Sequence, residues 1–167
     1  MIQIREGNEG DAVGLARVHV ESWKSTYRGL VPDAYLDSLH IPDRAQNFRD
    51  WFRQTDGRFL YVALEGAEPI GFVSGGYERD GSDPAVGEIY AIYLLNNYQR
   101  KGVGRRLFSA SVFWLQGRGF KRIVLYSLSG NPNQWFYSSL GGMEEACEKK
   151  IQIGGSSYEL LKFSFNL

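Results

Sequence analysis

Cysteine and histidine are almost absent from this chain. The single Cys147 excludes an intramolecular disulfide. With only His19 and His40 as histidines, no Cys, His or carboxylate cluster has metal-ligand spacing, and no metal is expected. Cys147 stands in Glu144-Glu145-Ala146-Cys147-Glu148, where acidic neighbours disfavour a thiolate, so it reads as structural rather than as an acyl-accepting nucleophile. No apolar run reaches about 18 residues and no charged-then-apolar leader opens the chain, which makes a soluble cytoplasmic protein without a membrane partner the expectation. Neither charge sign prevails: Lys plus Arg and Asp plus Glu both number 19, so no long-range field draws the protein to nucleic acid. No linker, repeat or low-complexity tract divides the 167 residues, and that length is read as one domain, 1–167, whose core needs no covalent staple.

Glycine, by contrast, is plentiful, and its placement is informative. The run Gln99-Arg100-Lys101-Gly102-Val103-Gly104 follows the apolar stretch Ile89 to Leu95 and opens the helix-patterned stretch Arg105 to Gly117. Gly102 and Gly104 lack a Cβ, so the backbone can turn tightly and lie against an anion, while the unpaired N–H groups of a helix start supply donors. Arg100, Lys101, Arg105 and Arg106 add positive charge at the same place. The run is neither G-x-x-x-x-G-K-[ST] nor G-x-G-x-x-G followed by a distant acidic residue, so a phosphate or pyrophosphate is expected to bind by another route.

Periodicity organises the rest. Ile2 to Arg5 alternates as a strand, and Glu9 to Lys24 carries Val13, Ala16, Val20 and Trp23 at helical spacing. Asp33 to Ser38 and Asp43 to Gln54 read as two short helices, the second capped by Asp43. From Phe59 the period becomes two: Phe59 to Glu65 and Pro69 to Arg79 form a hairpin through Gly66-Ala67-Glu68, and Gly81-Ser82-Asp83-Pro84 turns into the next strand. A helix to Gly117, a strand Ile123 to Leu128, a short helix from Asn131, and a pair at Ile151 to Ile153 and Tyr158 to Phe165 joined by Gly154-Gly155-Ser156-Ser157 complete the chain. The predicted order is β-α-α-α-β-β-β-α-β-α-β-β, an α/β protein with a mixed sheet of about seven strands flanked by helices.

Gln99, Gly102 and Gly104 match, residue by residue, the Q/R-x-x-G-x-G/A signature of the GCN5-related N-acetyltransferases, and downstream Asn131, Phe136-Tyr137 and Gly141 fit that family's second motif. The chain resembles this family over essentially its whole length. The Gly141-Gly142-Met143 ending departs from the usual Gly-aromatic one. The resemblance implies a central, mostly antiparallel mixed sheet whose strands splay at the cofactor site, acetyl-coenzyme A as cofactor, and an amine acceptor, either a small molecule or a protein amine. Family members often pair through terminal strands, so it also implies a possible homodimer.

The same resemblance implies site residues. Backbone groups of Ile92, Tyr93 and Leu94 would bind pantetheine as an added strand, and Gln99, Arg100, Lys101, Gly102, Val103, Gly104 and Arg105, with Asn131, would hold the rest of the cofactor. Asn131 followed by Pro132 also reads as a helix cap. Tyr137 would assist the departing thiolate. A phenol of pKa near 10 against roughly 8.5 for a thiol makes full proton transfer uphill by about 2 kcal/mol, so a strong hydrogen bond is the expected role. Glu88 is the candidate general base or water holder, two and four residues before Tyr90 and Ile92 and so expected to share their sheet face; an ordinary strand Glu is the alternative. Glu21, Trp23 and Tyr27 on the early helix are candidates for the acceptor wall. With no covalent nucleophile in view, direct attack within a ternary complex is the expected mechanism; a non-catalytic acyl-coenzyme A binding module is the alternative.

Overall fold

The computed structural model describes residues 1–54, 57–81 and 83–167; the expected turn at Ser82 lies outside them in part. Strand β1 (Ile2–Glu6) leads through a single 3₁₀ turn, Glu9–Asp11, into α1 (Ala12–Tyr27). Side chains set that turn: Asn8 Oδ1 accepts from Gly10 N at 2.9 Å, Asp11 Oδ2 accepts from Asn8 N at 2.9 Å, and Arg5 Nη1 donates to the same oxygen at 2.8 Å. Next come α2 (Asp33–Ser38), α3 (Ile41–Arg53), β2 (Arg58–Glu65), β3 (Glu68–Tyr77) and β4 (Val86–Leu94). Helix α4 (Val103–Gly117), β5 (Arg122–Leu128), α5 (Trp135–Ser139), β6 (Met143–Glu145), β7 (Lys150–Ile153) and β8 (Ser156–Asn166) finish the chain. Helix α3 starts two residues before the expected Asp43. His40 is its N-cap with no side-chain bond, and Pro42 in the first turn stiffens the start in place of an Asp cap.

The strands form one eight-stranded sheet in the order β1-β2-β3-β4-β5-β8-β6, with β7 paired to β8. Among the described strands β4 and β5 alone run parallel, because α4 carries the chain back between them. The short β6 was not anticipated; three residues are too few to show a period. Gly154 and Gly155, at φ 58° and 81°, make the two-residue turn between β7 and β8, which pair from Ile153 with Ser156.

Helices α1 and α3 cover one sheet face through Leu15, Val18, Leu60, Val62, Leu64 and Phe72. Helix α4 covers the other, where Leu107 and Leu115 meet Val73, Ile89, Ile123 and Phe163. Each such side chain contributes about 1.5–3 kcal/mol by leaving water. Tyr27, Val31, Leu36, Leu128 and Ile153 form a third cluster where α2 closes over the far end of the sheet. The inward side of α1 is wider than the expected stripe. Ala16 and Val20 are buried as read, but so are Leu15, Val18 and Ser22, whereas Val13 is 55% exposed.

One irregularity positions the site. Along β3 and β4, Gly75 pairs with Ile89 and Ser74 with Ala91, so Tyr90 is an extra residue, a β-bulge. The insertion changes parity. Ile89, Ile92 and Leu94 pack toward α4, while Ala91 and Tyr93 pack toward α1 and α3. Glu88 and Ile92 therefore lie on opposite faces, contrary to the alternation expected of an unbroken strand. Among the described residues no helix is long and apolar enough to cross a membrane.

Candidate active site

The β4–β5 ladder runs from Val86 with Arg122 to Ile89 with Leu125 and stops where the bulge begins. Beyond it β4 stays on β3 as far as Leu94, and β5 stays on β8 as far as Leu128, so the two strands part like a V. The V is the floor of a cleft of about 300 Å³, lined on one side by Tyr90, Ala91, Ile92, Tyr93 and Leu94 and on the other by Tyr126 and Ser127. Ile92, Tyr93 and Leu94 are thus at the opened edge.

The glycine loop closes one end of this cleft. Arg100, at φ 58°, and Gly102, at φ 79°, both adopt the left-handed region, which curls the backbone into a concave anion cradle. Gly102 is the N-cap of α4 and supplies no side chain, and the first turn closes with Arg106 N donating to Gly102 O at 3.1 Å, so the N–H groups of Val103, Gly104 and Arg105 are left free for a ligand. A Cβ on Gly104 would meet Phe136 Cζ at 3.1 Å; glycine there lets α5 lie close. Gln99 Nε2 donates to Leu94 O at 3.0 Å and Asn96 Oδ1 at 3.1 Å, tying the loop to the end of β4. Val103 is buried and anchors α4 in the core. Arg100 and Arg105 line the cleft, Lys101 does not, and among the described residues no carboxylate pairs with any of the three. Lys101 instead lies beside the Tyr98 ring at 5.6 Å. A concave backbone with unsatisfied donors and uncompensated guanidinium groups fits a pyrophosphate.

At the V itself five tyrosines converge: Tyr27, Tyr90, Tyr93, Tyr126 and Tyr137 all line the cleft. Tyr137 on α5 packs its ring on Phe163 at 5.3 Å, and its hydroxyl has no protein partner among the described residues. Burial, and then the neighbouring Tyr93, push the phenol well above its ordinary range, so it is a donor at any working pH. Tyr27 is raised the same way, first by burial, and its hydroxyl accepts from Asn131 Nδ2 at 3.3 Å. Asn131 lines the cleft, but it does not cap α5, which begins at Trp135; its Oδ1 accepts from Asn133 N at 2.8 Å in a turn of its own.

The remaining expected residues stand elsewhere. Glu88 is 2% exposed and does not line the cleft. Its carboxylate accepts from Arg79 N at 3.0 Å and Arg79 Nε at 3.1 Å, and that guanidinium lies over the Tyr90 ring at 4.5 Å. Glu21 points away from the cleft, with Arg17 at 3.8 Å. Trp23 sits behind the lining: its indole N–H donates to Tyr93 Oη at 2.9 Å and its ring packs on Tyr27 at 4.6 Å.

A family model described as the acetyltransferase (GNAT) family matches residues 15–141. The chain belongs to that family. It is 33% identical over 156 residues, 93% of this chain and 87% of the other, to the uncharacterized N-acetyltransferase YuaI of Bacillus subtilis. The PaiA N-acetyltransferase of Thermoplasma acidophilum, solved in complex with coenzyme A, superposes with a TM-score of 0.79 at 22% identity over 99% of both chains. A ribosomal-protein-alanine N-acetyltransferase of Brucella melitensis does so at 0.76 and 22%, again over 99% of both. This GNAT chain is accordingly an acyltransferase. Sequence reading missed Ser22, Thr26, Tyr90, Tyr126 and Ser127 in its cleft. Ser22 had a signal, since it extends the inward row Leu15 and Val18 as a polar residue on an apolar face.

Proposed function

We propose that this GNAT enzyme transfers an acetyl group from acetyl-coenzyme A to a primary amine by direct attack in a ternary complex. The observation that carries the reading is the continuity of one cleft from the cradle at Gly102 to the V at Tyr90. Backbone N–H groups of Val103, Gly104 and Arg105, with the charges of Arg100 and Arg105, hold the pyrophosphate; Lys101 adds charge from the rim, and Gln99 braces the loop. The exposed edge of Ile92, Tyr93 and Leu94 holds pantetheine as a strand would. When bound, the cofactor supplies an acetyl group already activated as a thioester. Tyr137 donates a hydrogen bond where thiolate charge develops, and its oxygen, unengaged by the protein, is free to do so.

Among the described lining residues there is no carboxylate and no histidine. The acceptor therefore enters as the free amine or gives its proton to water in the open cleft. Glu88 is a positioning residue: it holds Arg79, and Arg79 holds the ring of Tyr90 at the apex of the V. Tyr27 and Asn131 form the opposite wall, and Trp23 fixes Tyr93.

Calorimetry of acetyl-coenzyme A, coenzyme A and ATP, followed by thiol release across a pooled amine library, tests the reading. Coenzyme-selective binding with release on an amine is expected. ATP binding as well as the coenzyme would overturn the cofactor assignment, and coenzyme binding without release on any small or protein amine would leave a binding module.

A further inference from the structure

Several helical serines of this protein return their hydroxyls to the backbone, among them the buried Ser111. Ser25, Ser38, Ser111 and Ser139 each donate to the carbonyl three residues back, at 3.2, 2.6, 2.7 and 2.6 Å. Ser22 does not. It is 3% exposed, its buried Oγ has no hydrogen-bond partner among the described residues, and Ser22 is one of the residues that line the cleft. A buried hydroxyl left unpaired is destabilising, and beside a cleft the partner that completes it is water or a bound ligand. Thr26, one helical turn on and so on the same face of α1, lines the cleft as well, and its hydroxyl likewise bonds to no described residue. Both residues line the same cleft as Tyr27, Tyr90 and Tyr126.

Charge narrows the acceptor further. The charged residues of the lining are Arg100 and Arg105, both at the cofactor cradle, while Glu21, the carboxylate next to Ser22 in sequence, faces outward. Among the described lining residues no carboxylate would compensate the charges of a polyamine.

Resting on the acetyl-transfer reading above, we infer that Ser22, aided by Thr26, anchors an oxygen of the acceptor, and that the acceptor is a hydroxyl-bearing amine, an amino alcohol or amino sugar. Ser22 is a specificity residue, and the acetyl transfer itself proceeds without it.

The test measures thiol release from acetyl-coenzyme A with matched amines: 2-aminoethanol against propylamine, and glucosamine against cyclohexylamine. Wild type is expected to favour the hydroxylated member of a pair by about tenfold in kcat/KM, the effect of one hydrogen bond to a buried group. Ser22→Ala is expected to abolish that preference through the acceptor's KM, with the Kd of acetyl-coenzyme A unchanged. Its melting temperature should not fall, since no protein bond is lost and Ala is the better helix former. Equal rates within both pairs in the wild type, or a preference that survives Ser22→Ala, would overturn the inference. So would binding of acetyl-coenzyme A without release on any of the four amines. Failure of acetyl-coenzyme A to bind would instead remove the transfer reading beneath it.

Discussion

Replacing Tyr137 with Phe removes one oxygen from the cleft and leaves the ring's packing in place. The ring keeps its contacts with Phe163 at 5.3 Å and Phe136 at 5.7 Å, and the hydroxyl donates to no described residue, so folding stability should move by less than about 0.5 kcal/mol. Turnover is another matter. A hydrogen bond to a charged group contributes about 1.5–3 kcal/mol, and a donor aimed at a developing thiolate acts in the transition state more than in the ground state. Tyr137→Phe should therefore lower kcat by roughly 10- to 150-fold. Steady-state thiol release at saturating acetyl-coenzyme A and acceptor measures that loss, calorimetry the cofactor Kd, and a thermal melt the stability. The expected pattern is a fallen kcat, a Kd within about twofold of wild type and an unmoved melting temperature. A kcat within twofold of wild type would take Tyr137 out of the chemistry, and a melting temperature several degrees lower would show that the hydroxyl is structural.

Glu88→Gln separates a base from a brace: stability should fall by about 1–3 kcal/mol as the clamp on Arg79 weakens, while the pH dependence of kcat/KM keeps its shape, and loss of an ionisation from that profile would restore Glu88 to the chemistry. His19, stacked on Tyr93 at 5.1 Å, is pushed down to about 3 by burial and, secondarily, by Arg44. Its folded value lies below its unfolded one, so its contribution is complete above about pH 6.5 and drains away as pH falls toward 3, at up to about 1.4 kcal/mol per pH unit. His19→Phe should flatten urea-denaturation stability between pH 5 and 7.5, and an unchanged slope would refute the assignment. Gly104→Val should displace Phe136, 3.1 Å from the added Cβ, and weaken acetyl-coenzyme A binding by an order of magnitude or more in calorimetry; unchanged affinity would contradict the cradle.

The order of the helices and strands was legible because this chain's periods are clean: α2 was read at its observed bounds, and β2, β5 and β8 to within one or two residues. The cradle was legible because glycine and arginine carry it in a contiguous run. The cleft's far wall was less so. Glu21 and Trp23 have the chemistry of an acceptor wall, but which way a helical residue faces depends on what the helix packs against, and α1 lies beside α3 on one face of the sheet. Glu88 fell to a different cause. Parity arguments assume an unbroken ladder, and nothing in Glu88-Ile89-Tyr90-Ala91 announces a bulge. The partner that captures Glu88, Arg79, lies across a turn whose closure only the fold defines.

The bulge at Tyr90 gives this enzyme an aperture set by counting. The gap between β4 and β5 opens because β4 has one residue more than β3 can match, and a surplus of residues is an integer. Such an opening is written into the register of the strands and not into any one side chain. On the proposed acetyl transfer, substitutions on α1 would alter the acceptor wall and leave that register as it is.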